Sequence, residues 1–263
     1  MPRLVYGIRP VLEALRARAR DVSLLVVAEG ETQRAVREVV DAARAAEVAV
    51  EAKARAVVDE MTGGANHQGV CAVVGEYPYV EPEDLLEVAR ARGEAPLLVV
   101  LDGVQDPQNL GALVRTAHVL GAHGLVIPQD RASPVTPAVV RASAGATEHV
   151  KVARVVNLAR ALDTLKQAGL WIAGGVAEEG SAPWEVDLTA PTALVVGAEG
   201  KGIRPLVLRQ CDFLARIPML GRVASLNVSV AGALLLYEAL RQRLGARPAA
   251  PPPGPAAGRR RDG

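Results

Sequence analysis

The sequence predicts an α/β protein in two units, the second built on a parallel sheet. Three observations predict it. Short apolar runs alternate with helical patterns through most of the chain, as in parallel sheets covered by helices. Between residues 77 and 96 that alternation is interrupted by Pro78, Pro82 and Pro96 and by Glu81, Glu83, Asp84 and Glu87, which reads as a linker. Beyond it, runs such as 97–101 and 193–196 are apolar at every position, as expected of strands buried on both faces.

Residues 1–76 make the first unit, a small α/β domain. Val11, Leu12 and Leu15 predict a helix over 10–18. A strand at 23–27 follows. A helix over 32–46 then sets Val36, Val39, Val40 and Ala43 on one face. A strand at 48–50, a helix over 54–61 and a strand at 70–74 complete the unit. The polar turn 62–69 could face a partner, and His67 within it reads as a satisfied surface residue. The linker holds a short helix over 82–91.

The second unit spans 97–244. Strands at 97–101, 125–127, 150–152, 171–174, 193–196 and 214–217 alternate with helices over 110–120, 137–144 and 158–168. A closing helix over 228–244 carries Val230, Leu234, Tyr237 and Leu244. Its apolar residues cover more of the circumference than one sheet face requires, so the surplus is expected to bury against a second copy. Residues 245–263, with PPPGP and then Arg259, Arg260 and Arg261, read as an unfolded tail.

Composition bounds the function. Half of the chain is hydrophobic but only 3% is aromatic, so Val, Leu and Ala must fill the core. Few aromatics also argue against a platform for stacking RNA bases. The net charge of +1 gives no global basic field, so any nucleic-acid contact must be local. Cys71 and Cys211 lack metal-type spacing and read as buried thiols, with no metal implied. No secretory h-region and no bilayer-length apolar run is present, which predicts a cytoplasmic protein with no membrane contact.

Ligands of parallel sheets bind beyond the carboxyl ends of the strands, and three loops there carry the candidate chemistry. In 197–202, Gly197, Gly200 and Gly202 allow close backbone approach, and Glu199 is the one carboxylate. The loop is no Walker motif, because Gly202 follows Lys201. A plain strand-to-helix turn, with Pro205 opening the next helix, is the bland alternative. The second loop ends in Ser225 and Asn227, in a chain with only 6 Ser and 4 Asn. Helix capping alone would account for both. The third loop leads to Asn109, read as a helix cap, and to Arg115 among Leu113, Val114 and Ala117. An arginine on so apolar a helix needs a carboxylate or a charged ligand. Lys201, Arg204, Arg209, Arg216 and Arg222 face only Glu199 and Asp212 between 198 and 222, a local excess of cations suited to RNA.

These residues resemble the SpoU (TrmH-like) class of the SPOUT RNA ribose 2′-O-methyltransferases. Asp106-Pro107, Asn109, Gly111, Arg115 and Thr116-Ala117 look like the first family motif. Gly197, Glu199 and Gly202 look like the second. Ile217-Pro218-Met219 through Ser225-Leu226-Asn227-Val228-Ser229 looks like the third. YGIRPVLEAL near the start and NHQGV near residue 70 are similar to the substrate-binding domain of 23S rRNA guanosine 2′-O-methyltransferases.

The resemblance implies a parallel sheet with a trefoil knot and a first domain like ribosomal protein L30e that selects RNA. It implies homodimers with active sites at the dimer interface. S-adenosyl-L-methionine is expected at Gly197, Ile217 and Leu226, with Gly202 and Met219 beside them. The catalytic group it implies is Asn109, Arg115, Glu199, Ser225 and Asn227. A guanidinium is a poor base, so Arg115 reads better as a phosphate clamp and alkoxide stabiliser, oriented by Asn109 and Glu199 or by groups of the neighbouring chain. The implied substrate is 23S rRNA, with the P-loop guanosine of the peptidyl-transferase centre as the best guess; tRNA guanosine or another rRNA ribose is the alternative. A nucleotide-dependent oxidoreductase would need a G-x-G-x-x-G that 102–111 lacks. A non-catalytic RNA-binding protein would not need Arg115, Glu199 and Asn227.

Overall fold

Gly7, at φ 93°, turns the chain from β1 (Arg3–Tyr6) into α1 (Ile8–Arg18), a backbone angle that favours glycine. In the computed structural model, which describes residues 2–223 and 225–246, the first unit continues through β2 (Val22–Ala28), α2 (Arg34–Ala45), β3 (Val50–Lys53), α3 (Arg55–Met61) and β4 (Val70–Val74). Its strand order is β1-β4-β2-β3. β2 and β3 are parallel and the other pairs antiparallel. Val36, Val39 and Ala43 of α2 are buried as their spacing predicts. β3 lies later than the expected 48–50, because Val50 to Lys53 pair with Leu25 to Ala28. His67 is a correction. It is buried, accepts from Gly69 N at 3.0 Å through Nδ1 and donates to Asp59 from Nε2 at 3.0 Å. Those bonds pin the turn from within and leave the ring unavailable to a partner.

Residues 77–96, expected as a linker with a short helix, run along the second unit. Tyr77 donates its hydroxyl to Thr147 O at 3.2 Å and Val150 O at 3.1 Å. The Tyr79 hydroxyl accepts from Val135 N at 2.8 Å. In α4 (Pro82–Arg92), Leu85 is fully buried. It packs so closely that a Cβ on Gly124 would meet it at 2.5 Å.

The second unit is a six-stranded sheet, parallel throughout, in the order β10-β8-β9-β5-β6-β7. Its strands are β5 (Leu97–Asp102), β6 (Gly124–Pro128), β7 (Val152–Val155), β8 (Trp171–Val176), β9 (Thr192–Gly197) and β10 (Phe213–Arg216). Its helices are α5 (Pro107–Val119), α6 (Pro137–Ala142), α7 (Leu158–Gln167), α8 (Pro205–Leu208) and α9 (Val228–Ala246). Side chains alternate along each strand. Leu97, Val99 and Leu101 join a core with Leu113, Leu235 and the first unit's Val5 and Leu15. Leu98 and Val100 join the opposite core with Leu85, Leu162, Leu165 and Val207. β7 begins two residues after the expected strand start, because Ala146 to Glu148 form a 3-10 turn just upstream.

That turn fastens the two units. Both carboxylate oxygens of Glu148 accept from Arg3 Nη2 at 3.0 Å, and Oε2 also accepts from Arg18 Nη2. The Glu148 side chain is wholly buried. Gly245 and Ala246, expected in the tail, end α9, while residues 247–263 lie outside the described residues. Among the described residues no helix is long and apolar enough to cross a membrane.

Candidate functional site

Parallel strands end on one side, so β5 and β9, adjacent at the sheet centre, deliver their following loops to one place. Gly197 closes β9. A Cβ there would meet Gly202 C at 2.1 Å and Ile203 N at 2.3 Å, both backbone atoms. Only glycine lets the loop return against its own strand. Ala198 N donates to Gly202 O at 3.1 Å and Gly202 N donates to Ala198 O at 2.8 Å. Gly200 and Gly202 adopt φ 74° and 63° inside this closed loop, and Glu199 is exposed at its tip. Asp102, unnoticed in the sequence, is buried at the end of β5. It accepts from Arg204 N at 2.7 Å and Arg204 Nε at 2.6 Å, which fixes the loop's exit.

The cap of α5 is a correction. Asp106 accepts from Gln108 N at 3.1 Å and Asn109 N at 3.3 Å, with Pro107 at the first helical position. Asn109 therefore lies inside the first turn, and its side chain is not the cap. Its Oδ1 accepts from Asn227 Nδ2 at 2.9 Å. Asn227 Oδ1 in turn accepts from Ser229 N at 2.9 Å and Ser229 Oγ at 2.6 Å, capping α9. One amide pair thus ties the starts of two helices that are far apart in sequence.

Two cavities flank Glu199. The first, of about 160 Å³, is lined by Gly197, Gly202, Ile217, Met219 and Leu226, with Ser225 and Glu199 at its edge. Val196, Ala215 and Leu235 add apolar wall. Among the described residues, positions 218–223 make no backbone–backbone hydrogen bond. An apolar slot beside unpaired backbone donors and acceptors fits a planar purine with polar edges. All five residues expected at the cofactor line this one slot. The second cavity, of about 300 Å³, is lined by Asn109, Glu199, Gly202, Lys201, Asp106 and Arg131.

Arg115 is elsewhere. It follows Asn109 by six residues on α5, which on an ideal helix is about 120° around and about 9 Å along. It is exposed and has no hydrogen bond or ion pair among the described residues. It lines a separate cleft with Arg9, Glu13, His118 and His149. The two imidazoles there stack at 5.3 Å. Burial, and then the neighbouring His149, hold His118 below the usual histidine range. The cavity that Arg115 lines thus holds neither Asn109 nor Glu199.

Thiol chemistry has no place in the site. Burial pushes Cys71 and Cys211 up to about 11, so neither is a thiolate near neutral pH.

With this geometry in view, comparisons with known proteins are specific. Residues 96–237 match the SpoU rRNA methylase family, and residues 4–80 match the RNA 2′-O ribose methyltransferase substrate-binding family. The chain is 43% identical over 240 residues to the 23S rRNA (guanosine-2′-O-)-methyltransferase RlmB of Pseudomonas aeruginosa, covering 91% of this chain and 96% of that protein. It is 39% identical over 243 residues to the RlmB of Vibrio parahaemolyticus, covering 92% and 98%. The crystal structure of the SpoU methyltransferase AviRb from Streptomyces viridochromogenes, in complex with the cofactor AdoMet, superposes with a TM-score of 0.76 at 30% identity, covering 92% of this chain and 90% of that one.

Proposed function

The chain belongs to the SpoU rRNA methylase family, and on that premise we propose that it methylates a guanosine ribose 2′-hydroxyl in 23S rRNA using S-adenosyl-L-methionine. One observation carries the reading most: the slot with the five cofactor residues and the cavity with Asn109 meet at Glu199. When bound, S-adenosyl-L-methionine supplies a methyl group already activated on a sulfonium, so no metal is required.

The chain's own residues then hold and align. The 197–202 loop with Ile217, Met219 and Leu226 would hold the nucleoside part of the cofactor. Glu199 stands where the cofactor slot opens toward the RNA-side cavity. The Asn109–Asn227 amide pair keeps the helix starts at fixed separation, which would hold the RNA-side cavity in register with the cofactor slot. Arg115 clamps a target phosphate and stabilises the developing alkoxide. Because Arg115 of one chain lies apart from that chain's Glu199, the reading places Arg115 of the partner subunit at each site.

A dimer is supported by α9. Val230, Leu234, Tyr237 and Leu244 recur on one stripe and are 47%, 44%, 59% and 54% exposed. Such a patch calls for a partner. Light scattering at micromolar protein is expected to return twice the 27.5 kDa chain mass. A monomeric mass would remove the composite site.

The knot belongs to the same reading. β10 sits at the sheet edge beside β8, yet the chain then returns as α9 across β9 and α5. Residues 1–76 select the RNA, in keeping with the substrate-binding match over 4–80. Phosphate contacts dominate, since Lys201, Arg209, Arg216 and Arg222 have no ion pair among the described residues. The finer target is the P-loop guanosine of the peptidyl-transferase centre. Mapping 2′-O-methylation in a deletion strain should show loss at that guanosine and nowhere else. Loss in tRNA with intact rRNA would move the enzyme to the tRNA alternative.

A further inference from the structure

The loop after β6 holds a backbone feature that the reaction has not used. Arg131 adopts φ 60°, in the left-handed region where a side chain is strained and glycine or asparagine is at ease. The loop cannot relax around it. Gln129 N donates to Val155 O at 2.7 Å, Ser133 N donates to Val104 O at 2.9 Å, and Val135 N donates to the Tyr79 hydroxyl at 2.8 Å. These anchors hold Arg131 at the rim of the 300 Å³ cavity shared by Asn109, Glu199 and Lys201.

Charge distinguishes Arg131 from its neighbour. Arg204 lines the same cavity but is neutralised by buried Asp102. Arg131 is exposed, with no hydrogen bond or ion pair among the described residues. A planar fork of donors is therefore free at the cavity that shares Glu199 with the cofactor slot. Two anions could meet it. The methyl donor brings one carboxylate, whereas RNA brings a phosphate beside every ribose 2′-oxygen. Arg131 does not line the slot that gathers the cofactor residues, which favours RNA.

We propose that Arg131 binds a non-bridging phosphate oxygen of the RNA strand next to the target ribose, positioning that ribose in the chain's own Asn109–Glu199 cavity. The proposal rests on the rRNA methylase reading. It adds a second guanidinium to the site, supplied by the same chain as Glu199.

The test uses full-length Arg131→Gly and Arg131→Lys. Glycine relieves the left-handed strain, so Arg131→Gly should melt at or above the wild-type temperature and fold normally. It should bind S-adenosyl-L-methionine unchanged, yet lose at least tenfold in kcat/KM on an rRNA fragment, mostly through KM. The log–log salt slope of RNA binding should fall by about 0.7–0.9, the contribution of one phosphate. Arg131→Lys should restore the slope but only part of kcat/KM. Arg131→Gly with wild-type kcat/KM would overturn the inference while leaving the methylase intact. Loss of cofactor affinity would overturn it too, by giving Arg131 to the methionine carboxylate. A wild-type protein that binds RNA without methylating it would sink the function reading instead, and the salt slope would still decide Arg131.

Discussion

Arg115→Ala lowers methyl transfer by roughly a hundredfold or more, the scale for losing one electrostatic stabiliser, and leaves cofactor affinity and melting temperature where they are. The structure sharpens this expectation. Had Arg115 held its helix through a salt bridge, the alanine variant would melt early and lysine would partly rescue it. Arg115 is exposed and has no such partner among the described residues, so stability should move by no more than about 0.5 kcal/mol. Arg115→Lys keeps the charge but loses the fork and should rescue little. Calorimetry beside single-turnover kinetics separates the two roles. Mixing Arg115→Ala chains with Glu199→Ala chains adds a second readout. Activity returns on mixing if the two residues meet across a dimer, and stays lost if each site is built from one chain. Near-normal turnover of a stable Arg115→Ala protein would take the residue out of the mechanism.

Glu148→Gln should cost about 3–5 kcal/mol of stability, the penalty for breaking a buried ion pair on one side. The carboxylate is wholly buried and serves two arginines, from β1 and from the end of α1. Arg3 and Arg18 pack over the Tyr77 ring, with guanidinium carbons 5.4 and 5.6 Å from its centre. Neither charge can leave easily, so glutamine strands both. Glu148 with its two arginines links the two units, and such a buried cluster adds little net stability of its own. Denaturant titration should show an earlier midpoint. A change under about 1 kcal/mol would mean that the arginines reach water without it.

What could be read from the sequence follows burial. The central strands β5 and β9 are covered on both faces, so their residues form unbroken apolar runs. β1 and β3 are edge strands of four residues with mixed burial; the pattern gives no strand at β1 and places β3 two residues early. The cap of α5 was legible but misassigned. Asp106 before Pro107 is the stronger signature, whereas the scarcity of Asn drew attention to Asn109. The glycine loop could be read because its geometry is local. The place of Arg115 could not, since it depends on helical phase relative to a loop eighty residues away. Arg131 gave no compositional sign, because its backbone angle comes from anchors on β7, on the 103–105 loop and on Tyr79.

The strand order also fixes when each part can exist during synthesis. β1 to β4 close their sheet by residue 74, so the unit assigned to RNA is complete while the rest is unmade. The larger sheet cannot close that way. β5 and β9 lie side by side although β6, β7 and β8 are made between them. A nascent chain therefore carries β5 with one flank bare until residue 197 has emerged. Ile217, Met219, Ser225, Leu226 and α9, which finish the slot, come later still. Emerging vectorially, the chain completes the sheet of its first unit well before the slot exists, and one flank of β5 stays bare throughout that interval.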